Sequence, residues 1–280
     1  MGGFNKLDVS HGEASPLPFE LSVSTGKYPG YGVIQKFGEN PDIDPNTTPE
    51  DIWEVGGLYT YDADGTDPIR YVSSNDILDT GQTIRVEGLD IDGNLVAQDV
   101  ITDGQDVVNL TTPLWRCFRA MNNSAFGNDL HGMLFIHTDP APSLGTPAVG
   151  TIRAEIDNGN NQTLMALYTV PLGLVGFLYK GEIGLSRAQS TGAIRASSYS
   201  RRFGKIFQVK RRIAISNSGT SIFKEVLIFP GPIPALTDVK FTVESVTALN
   251  TGVFGSFDIM LVDETRFPVS YLQSIGQPGF

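Results

Sequence analysis

The clearest cluster of potentially functional side chains is a run of seven basic residues within 18 positions of the sequence. Tyr199, Phe203 and Phe207 are interleaved with these cations, a mixture of charge and flat rings that is typical of nucleic-acid-binding surfaces. Phe207 also shares strand parity with Val209, which favours a core position for its ring. Three hypotheses stay open: a solvated hairpin face, a nucleic-acid surface, or a protein contact with the acidic part of another copy or with an acidic scaffold. The basic residues are Arg195, Arg201, Arg202, Lys205, Lys210, Arg211 and Arg212.

Acidic turns and histidines are the next candidates, because both could hold a metal ion. Residues 62–67 and 90–94 each place several carboxylates in a tight turn, as a hard cation requires. Neither continues into a loop with the distal Glu of an EF-hand, and Asp-Gly pairs serve hairpin turns for backbone reasons alone. His131 and His137 would lie roughly 20 Å apart on one strand, too far to share a metal. We predict plain turns, no metal site and no cofactor.

Catalytic motifs find no support in the sequence. It contains no Gly-x-Ser-x-Gly elbow and no Gly-Lys-Ser/Thr phosphate loop. Carboxylates are spread over many turns, so that no two of them stand out as a glycosidase pair. Trp53 and Trp115 are the only large platforms on which a sugar could stack. A single cysteine, Cys117, excludes an internal disulfide. We predict that the protein is not an enzyme.

Composition points to a turn-rich β protein. The chain has 280 residues, of which 31 are Gly and 17 Pro, with 40% hydrophobic and only 18% charged residues. These values argue against a disordered tail, a coiled coil or a helical bundle. The longest near-apolar run, residues 167–179, is short and is interrupted by Pro and Gly, and the N-terminus lacks a secretory pattern. We therefore expect a soluble protein of a reducing compartment, without a membrane partner.

The net charge of −11 is divided unevenly along the chain. Residues 1–150 carry 22 acidic against 7 basic residues, whereas residues 151–280 carry 9 against 13. An acidic chain repels phosphates, so nucleic acid is not the expected partner. An acidic front half and a basic rear half favour ordered protein–protein contacts instead.

Periodicity predicts strands over most of the chain between two arms. Alternation in residues 83–87, 240–244 and 256–261 indicates strands, the segment around Asp92-Gly93 indicates a hairpin, and residues 114–121 favour a strand over a helix. Thr48-Pro49 predicts the start of a short helix. We therefore predict an all-β fold, an antiparallel β-sandwich or jelly-roll with two packed β domains. The predicted parts are an extended N-terminal arm (1–48), a β domain with one short helix (49–145), a β-sandwich domain (146–263) and a C-terminal arm (264–280).

Large apolar residues on the arms are candidate anchors. An arm without a core of its own that carries rings must dock them on the rest of this chain or on a neighbouring subunit. The anchors that we predict are Phe4, Phe19, Tyr28, Phe267 and Tyr271.

Four stretches of the sequence resemble accessory virion proteins of tailed bacteriophages, especially those of marine and cyanobacterial hosts. They are residues 36–57, 88–102, 160–181 and 233–264. The likeness is best in Tyr168-Thr169-Val170-Pro171 and in the closing strand 257–262. The resemblance implies a β-sandwich or jelly-roll protein, often trimeric, that is made in the bacterial cytoplasm and assembled on the phage head or tail. It transfers no functional residues, because such families have no active site.

The resemblance leads to the hypothesis of a capsid decoration, or cement, protein. It would sit on the capsid surface of the virion as a homo-oligomer, with a trimer favoured, and bind across subunits of the major capsid protein or to other virion proteins. A tail, neck, baseplate or head-fibre component is the alternative of the same class. A host-glycan-binding protein or depolymerase is the alternative of another class.

Overall fold

Antiparallel strands make up nearly all the regular structure of the protein. The computed structural model describes residues 18–63, 65–187, 192–216, 222–228 and 230–276. Every strand pair in this part of the chain is antiparallel, which confirms the predicted all-β fold class. The strands are β1 (Tyr31–Ile43), β2 (Glu50–Asp51), β3 (Ile69–Ser74), β4 (Thr80–Leu89), β5 (Leu95–Asp103), β6 (Val108–Leu114), β7 (Arg116–Asn122), β8 (Leu134–His137), β9 (Ile152–Ile156), β10 (Leu167–Thr169), β11 (Leu174–Arg187), β12 (Ala193–Arg202), β13 (Gln208–Ser216), β14 (Ile222–Val226), β15 (Pro232–Ile233), β16 (Thr237–Val246) and β17 (Thr251–Asp263).

The strands from β3 to β9 form one pair of sheets, here called the front sandwich. Its sheets have the strand orders β6-β3-β8-β9 and β5-β4-β7. Ile84 and Val86 of β4 share a core with Val72 of β3 and Ile136 of β8, as the alternation of apolar residues in β4 predicts. The β4–β5 hairpin turns at Gly93, which has a positive φ of 84°, and the predicted strand in residues 114–121 is confirmed as β7.

The remaining strands form a second pair of sheets, here called the rear sandwich. One sheet has the order β1-β17-β11-β14, with β15 paired to β11, and the other has the order β10-β16-β12-β13, with β2 paired to β16. Phe257 of β17 and Phe241 of β16 meet between the sheets with ring centroids 5.2 Å apart. The apolar face of each of these two strands lies in the core, as predicted. The polar face of β16 is buried as well, from Thr237 to Thr242.

The interpretation of residues 1–48 as an arm is wrong for β1, which is a full strand of the rear sandwich. It pairs with β17 from Tyr31 opposite Val262 to Asn40 opposite Val253. Gly38 lies so close to the next sheet that a Cβ atom there would clash with the backbone nitrogen of Ala166. The short helix α1 (Phe19–Ser24) precedes this strand and buries Val23.

The short helix predicted at Thr48-Pro49 is also wrong, because β2 takes its place. No helix occurs among the described residues of 49–145. Asp51 is fully buried, and its carboxylate accepts hydrogen bonds from Lys240 Nζ at 2.7 Å and from Thr242 Oγ1 at 2.5 Å, both on β16. Three close donors, including the backbone N–H of Tyr59, hold the segment against the sheet and outweigh the local helix signal.

The predicted boundary at residue 145 falls inside the front sandwich, since β9 pairs with β8 along residues 152–156. The two sandwiches meet across a buried ionic cluster in which Asp238 of β16 lies between two guanidinium groups. Arg116 Nε of β7 donates to Asp238 Oδ1 at 3.0 Å, and Arg201 Nη2 of β12 donates to Asp238 Oδ2 at 2.6 Å. Thr169 Oγ1 adds a hydrogen bond of 2.6 Å to Oδ1. Every strong acceptor position of this carboxylate is therefore used.

The C-terminal segment continues β17 with a 3-10 turn (Glu264–Arg266) and a short helix α2 (Val269–Ile275) that buries Leu272. This segment is therefore folded on the chain as far as residue 276 rather than extended. No helix in the described part of the chain is long and apolar enough to cross a membrane.

A carboxyl on β9 gives the front sandwich a testable pH dependence. Burial, with Asp157 nearby, raises the pKa of Glu155 from 4.5 to about 7. Because the pKa of Glu155 is higher in the folded state than in the unfolded state, the folded state favours the protonated carboxyl. The stability that this carboxyl contributes is present below pH 4.5 and is lost as the pH rises through 7. We expect Glu155→Gln to be more stable than the wild type at about pH 8 by an amount on the order of 1 kcal/mol, with a smaller gain at about pH 5. Urea unfolding at both pH values measures this difference. Equal gains at both values would contradict it.

Candidate interaction surface

One side of the rear sandwich is open, and the predicted basic residues border it. Among the described residues, strands β13 and β14 are the last strands of their sheets, and each pairs with one neighbour only. Arg211 of β13 and Glu225 of β14 form an ion pair of 2.7 Å across the opening. Ile206 and Ile228 are 80% and 82% exposed. We call this surface the open edge, and its exposed apolar residues are Ile206, Val209, Ile222, Phe223, Val226 and Ile228.

Sequence reasoning missed the contribution of β14 to the open edge. Its signal was present, because residues 222–228 hold several apolar residues with only two charges. Ile222, Phe223 and Val226 of this strand are 44%, 38% and 51% exposed, so each presents a large part of its side chain to solvent. Unpaired edge strands with exposed apolar side chains are a liability unless another surface covers them.

Four of the seven basic residues form ion pairs within the chain. Only three carboxylates, all in the rear sandwich, pair with them, because Glu244 binds two of the arginines. The pairs are Arg201 with Asp238 (2.6 Å), Arg211 with Glu225 (2.7 Å), Arg195 with Glu244 (2.9 Å) and Arg212 with Glu244 (3.1 Å).

Glu244 binds two of these cations, Arg195 of β12 and Arg212 of β13. Ser197 Oγ and Tyr199 Oη donate to its Oε1 at 2.6 and 2.8 Å. Partial burial opposes ionisation, but these hydrogen bonds and Arg212 outweigh it and lower the pKa of Glu244 below its ordinary value. The carboxylate therefore stays charged near neutral pH, and the two arginines are held in place.

Arg202, Lys205 and Lys210 are the cations that stay free. None of them forms an ion pair within the described ranges, and Lys210 Nζ donates only to Gln208 Oε1 at 3.0 Å. All three line an open groove of about 680 Å³ between the β12–β13 hairpin and β15. Apolar side chains form the other part of its wall, namely Leu178, Ile206, Leu227 and Ile233.

The interleaved aromatic rings are occupied within the chain. The hydroxyl of Tyr199 is bonded to Glu244, and Phe203 packs against Trp115 with centroids 5.4 Å apart. Phe207 lies under Arg201, whose Cζ is 4.5 Å from the ring centroid. All three residues make contacts within the fold, but Phe203 is still 52% exposed. Its ring is therefore the one on which a base could stack.

The predicted arm anchors gather at one end of β1 and β17. The ring centroids of Phe19 and Tyr28 are 5.4 Å apart, and Phe267 stacks on Tyr271 with the ring centroids 5.1 Å apart. Arg266 joins the two groups, because its Nη2 donates to the backbone oxygen of Pro29. The described parts of both predicted arms thus dock on their own chain, although Phe19 and Tyr28 are still about half exposed. Phe4 lies outside the described residues.

Within the described residues, the candidates for metal and sugar binding are not assembled into sites; Asp64 of the acidic turn 62–67 lies outside them. No group of three or more His, Cys, Asp or Glu side chains is placed to hold a metal in the described ranges. His137 is buried in β8 with its Nε2 3.0 Å from Ser73 Oγ, and Asp90 accepts the backbone N–H groups of its own turn. Both tryptophans are only 4% exposed and therefore offer no stacking platform.

An acidic surface of similar design lies on the front sandwich. The outward side chains of β5 comprise three apolar and two acidic residues, namely Leu95, Ala97, Asp99, Ile101 and Asp103. Leu95 and Ile101 are each 55% exposed. Asp99 pairs with Arg85 at 3.2 Å, whereas Asp103 has no ion pair within the described chain. This surface, here called the acidic strand, matches the open edge in apolar character and opposes it in charge.

Comparisons with known proteins give a distant likeness only. No protein-family model and no curated protein matches the chain. Solved structures of infectious bursal disease virus are similar over most of the chain: the Gt strain (12% identity, 90% of this chain, 80% of that chain, TM-score 0.22), the VP2 subviral particle (12%, 88%, 77%, 0.21) and the Gx strain (13%, 90%, 80%, 0.23). At these values the likeness carries no functional argument, so the function has to be argued from the surfaces of the chain.

Proposed function

We propose that the protein is a structural component of a virion, a capsid decoration protein that acts by binding other proteins rather than by catalysis. The observation that carries this proposal is the open edge, where exposed apolar side chains lie beside three free cations. The resemblance of four sequence stretches to accessory virion proteins of tailed bacteriophages supports the choice of a virion.

A protein partner explains the open edge better than nucleic acid or solvent. A phosphate-binding surface keeps its cations free, but four of the seven basic residues here are paired with carboxylates of the chain. A solvated face does not need isoleucines that are 80% exposed. A mixed surface of apolar residues with a few unpaired charges is typical of protein interfaces, where the charges set orientation.

The acidic strand of a second copy is the partner that this chain itself supplies. A contact between the open edge of one copy and the acidic strand of the next joins two different surfaces, so it is heterologous and closes into a ring when the rotation permits. A trimer is the ring that the resemblance favours. The major capsid protein is the other partner, and the exposed rings of Phe19 and Tyr28 would contribute anchors to it.

Charge reversal of the free cations tests this proposal. The variant Arg202→Glu/Lys205→Glu/Lys210→Glu leaves the ion pairs of Asp238, Glu225 and Glu244 intact and is expected to weaken self-association by at least about tenfold, because each like-charge contact at an interface costs energy. Sedimentation velocity measures the oligomer, and sedimentation with purified heads measures decoration.

The matched control reverses a cation that lies outside the open edge. Arg70→Glu alters an exposed residue of β3 in the front sandwich and should change neither readout. Adding Asp103→Lys to the triple variant should restore part of the association, because opposite charges then face each other again at the contact. If the triple variant assembles and decorates heads like the wild type, the open edge is not the contact surface.

A further inference from the structure

A cavity between the two sandwiches contains a lysine that the assembly function does not use. Lys36 of β1 lies 5% exposed at this junction. Its Nζ donates to the backbone oxygen of Phe118 in β7. The open cavity beside it has a volume of about 460 Å³, which is within the range of small-molecule sites, and such sites occur preferentially at domain interfaces.

A β-bulge in the front sandwich shapes one wall of the cavity. Glu87 of β4 pairs with Arg119, and the next residue, Gly88, pairs with Cys117, so Phe118 is left without a partner in the ladder. The bulge leaves the backbone oxygen of Phe118 free, and the amine of Lys36 donates its hydrogen bond to that oxygen. Bulges are frequent next to binding sites because they redirect side chains.

The cavity combines unpaired polar groups with apolar walls. Neither Lys36 nor Arg119 forms an ion pair within the described chain. The hydroxyl of Tyr168, a residue only 2% exposed, has no hydrogen-bond partner among the described residues. Glu87 supplies one carboxylate. The apolar lining consists of Val33, Ile34, Leu95, Val96, Ala97 and Phe118.

We propose that this cavity binds a small carbonyl compound that carries a carboxylate, with Lys36 as the amine that forms an imine and Arg119 as the partner of the carboxylate. The amine nitrogen attacks the carbonyl carbon, loses its two protons and becomes doubly bonded to that carbon. The carbonyl oxygen leaves as water, so the step needs no oxidant or reductant. Tyr168 lines the same cavity, and its hydroxyl has no hydrogen-bond partner among the described residues.

The electrostatic surroundings keep the amine reactive. Burial, followed by the charge of Arg119, lowers the pKa of Lys36 from 10.5 to about 7, while Cys117 and Glu87 act in the opposite direction. A desolvated lysine beside another cation is a known way to activate an amine as a nucleophile. The carboxylate of Glu87 opposes an anionic ligand, and the guanidinium group of Arg119 offsets that charge.

Reductive trapping tests the proposal on the intact protein. The chain is incubated near pH 7.5 with pyruvate and cyanoborohydride, and peptide mass spectrometry gives the rate of labelling at each lysine. Lys36 is expected to react at least about tenfold faster than the exposed Lys27, Lys205 and Lys210, because a pKa lower by about three units leaves far more of the amine unprotonated. The rate at Lys36 should reach half of its maximum near pH 7.

Propanal, a neutral aldehyde, separates the roles of the two cations. Loss of the Arg119 charge raises the pKa of Lys36 and slows labelling by both compounds. Arg119→Met should therefore slow labelling of Lys36 by pyruvate at least about tenfold more than labelling by propanal, as a lost charge-assisted contact implies. Labelling of Lys36 by propanal that stays faster than labelling of the exposed lysines shows that the variant is folded around the cavity. Labelling of Lys36 no faster than that of exposed lysines would overturn the reactive amine. An equal slowing with pyruvate and with propanal in Arg119→Met would overturn the carboxylate site.

Discussion

Replacing Asp238 by asparagine is expected to lower the free energy of unfolding by about 3–5 kcal/mol, the range for removing one partner of a buried ion pair. Arg116 and Arg201 would then face each other across a neutral side chain, and both groups are largely excluded from water. The loss is larger than for an ordinary hydrogen bond because a buried charge without a counter-charge keeps its full desolvation cost. Urea unfolding at neutral pH measures it.

The matched control for this prediction is an exposed ion pair of the same types. Asp99→Asn removes the partner of Arg85, and both side chains are well exposed. We expect a change below about 1 kcal/mol there, since solvent and salt screen such pairs. If Asp238→Asn cost no more than Asp99→Asn, the cluster at the junction of the sandwiches would be hydrated and would not hold them together.

Replacing Lys36 by methionine is expected to stabilise the protein at neutral pH. The pKa of Lys36 is about 7 in the folded chain and 10.5 in the unfolded one, so the unfolded state binds more protons between these values. Stability therefore rises with pH in this window and is reduced below it. Each unit by which the pKa of Lys36 is lowered corresponds to 1.36 kcal/mol. Burial of the amine therefore lowers the free energy of unfolding by up to about 4 kcal/mol at pH 7.

The carbonyl of Phe118 limits this gain. Methionine cannot donate a hydrogen bond to it, and an unsatisfied buried acceptor costs about 1–3 kcal/mol. The net gain at pH 7 is therefore about 1–3 kcal/mol, and it should shrink as the pH rises to about 8.5. Higher pH is avoided, because burial raises the pKa of Cys117 to about 12 and adds an opposite slope.

Urea unfolding between about pH 6.5 and 8.5 tests the expected gain in stability. The proteins compared are the wild type, Lys36→Met and the control Lys210→Met. Lys210 is exposed, so its replacement should leave both the stability and its pH dependence nearly unchanged. A Lys36→Met protein that is less stable than the wild type, with the same slope against pH, would show that the amine is hydrated in the folded state. A lysine that costs stability is retained most simply because it binds something.

The sequence is informative where the fold depends on local pattern. The alternation of Ile84 and Val86 and the Asp92-Gly93 turn predict the β4–β5 hairpin as it is found. The parity of Phe241 and Phe257 likewise predicts which faces meet in the rear sandwich. Period-2 patterning and turn chemistry operate over a few residues, so they can be recognised without knowledge of the rest of the chain.

Features that depend on distant partners could not be predicted. β1 is rich in glycine and polar residues, and only its partner β17, more than 200 positions later, makes it a strand. Arg116 and Asp238 are 122 positions apart, so their pairing has no local signal. The basic run illustrates the same limit, because Glu225 and Glu244 form ion pairs with cations whose partners are not evident in the sequence. What remains at the open edge is a smaller charge on a more apolar surface.

The stoichiometry of the protein in purified virions tests the proposed decoration role most directly. Quantitative mass spectrometry of intact particles gives its copy number relative to the major capsid protein. A decoration protein that binds across capsid subunits should be present in a fixed ratio to the major capsid protein, at a comparable number of copies. A few copies per particle would contradict this role and would place the protein at the neck, the tail or the baseplate.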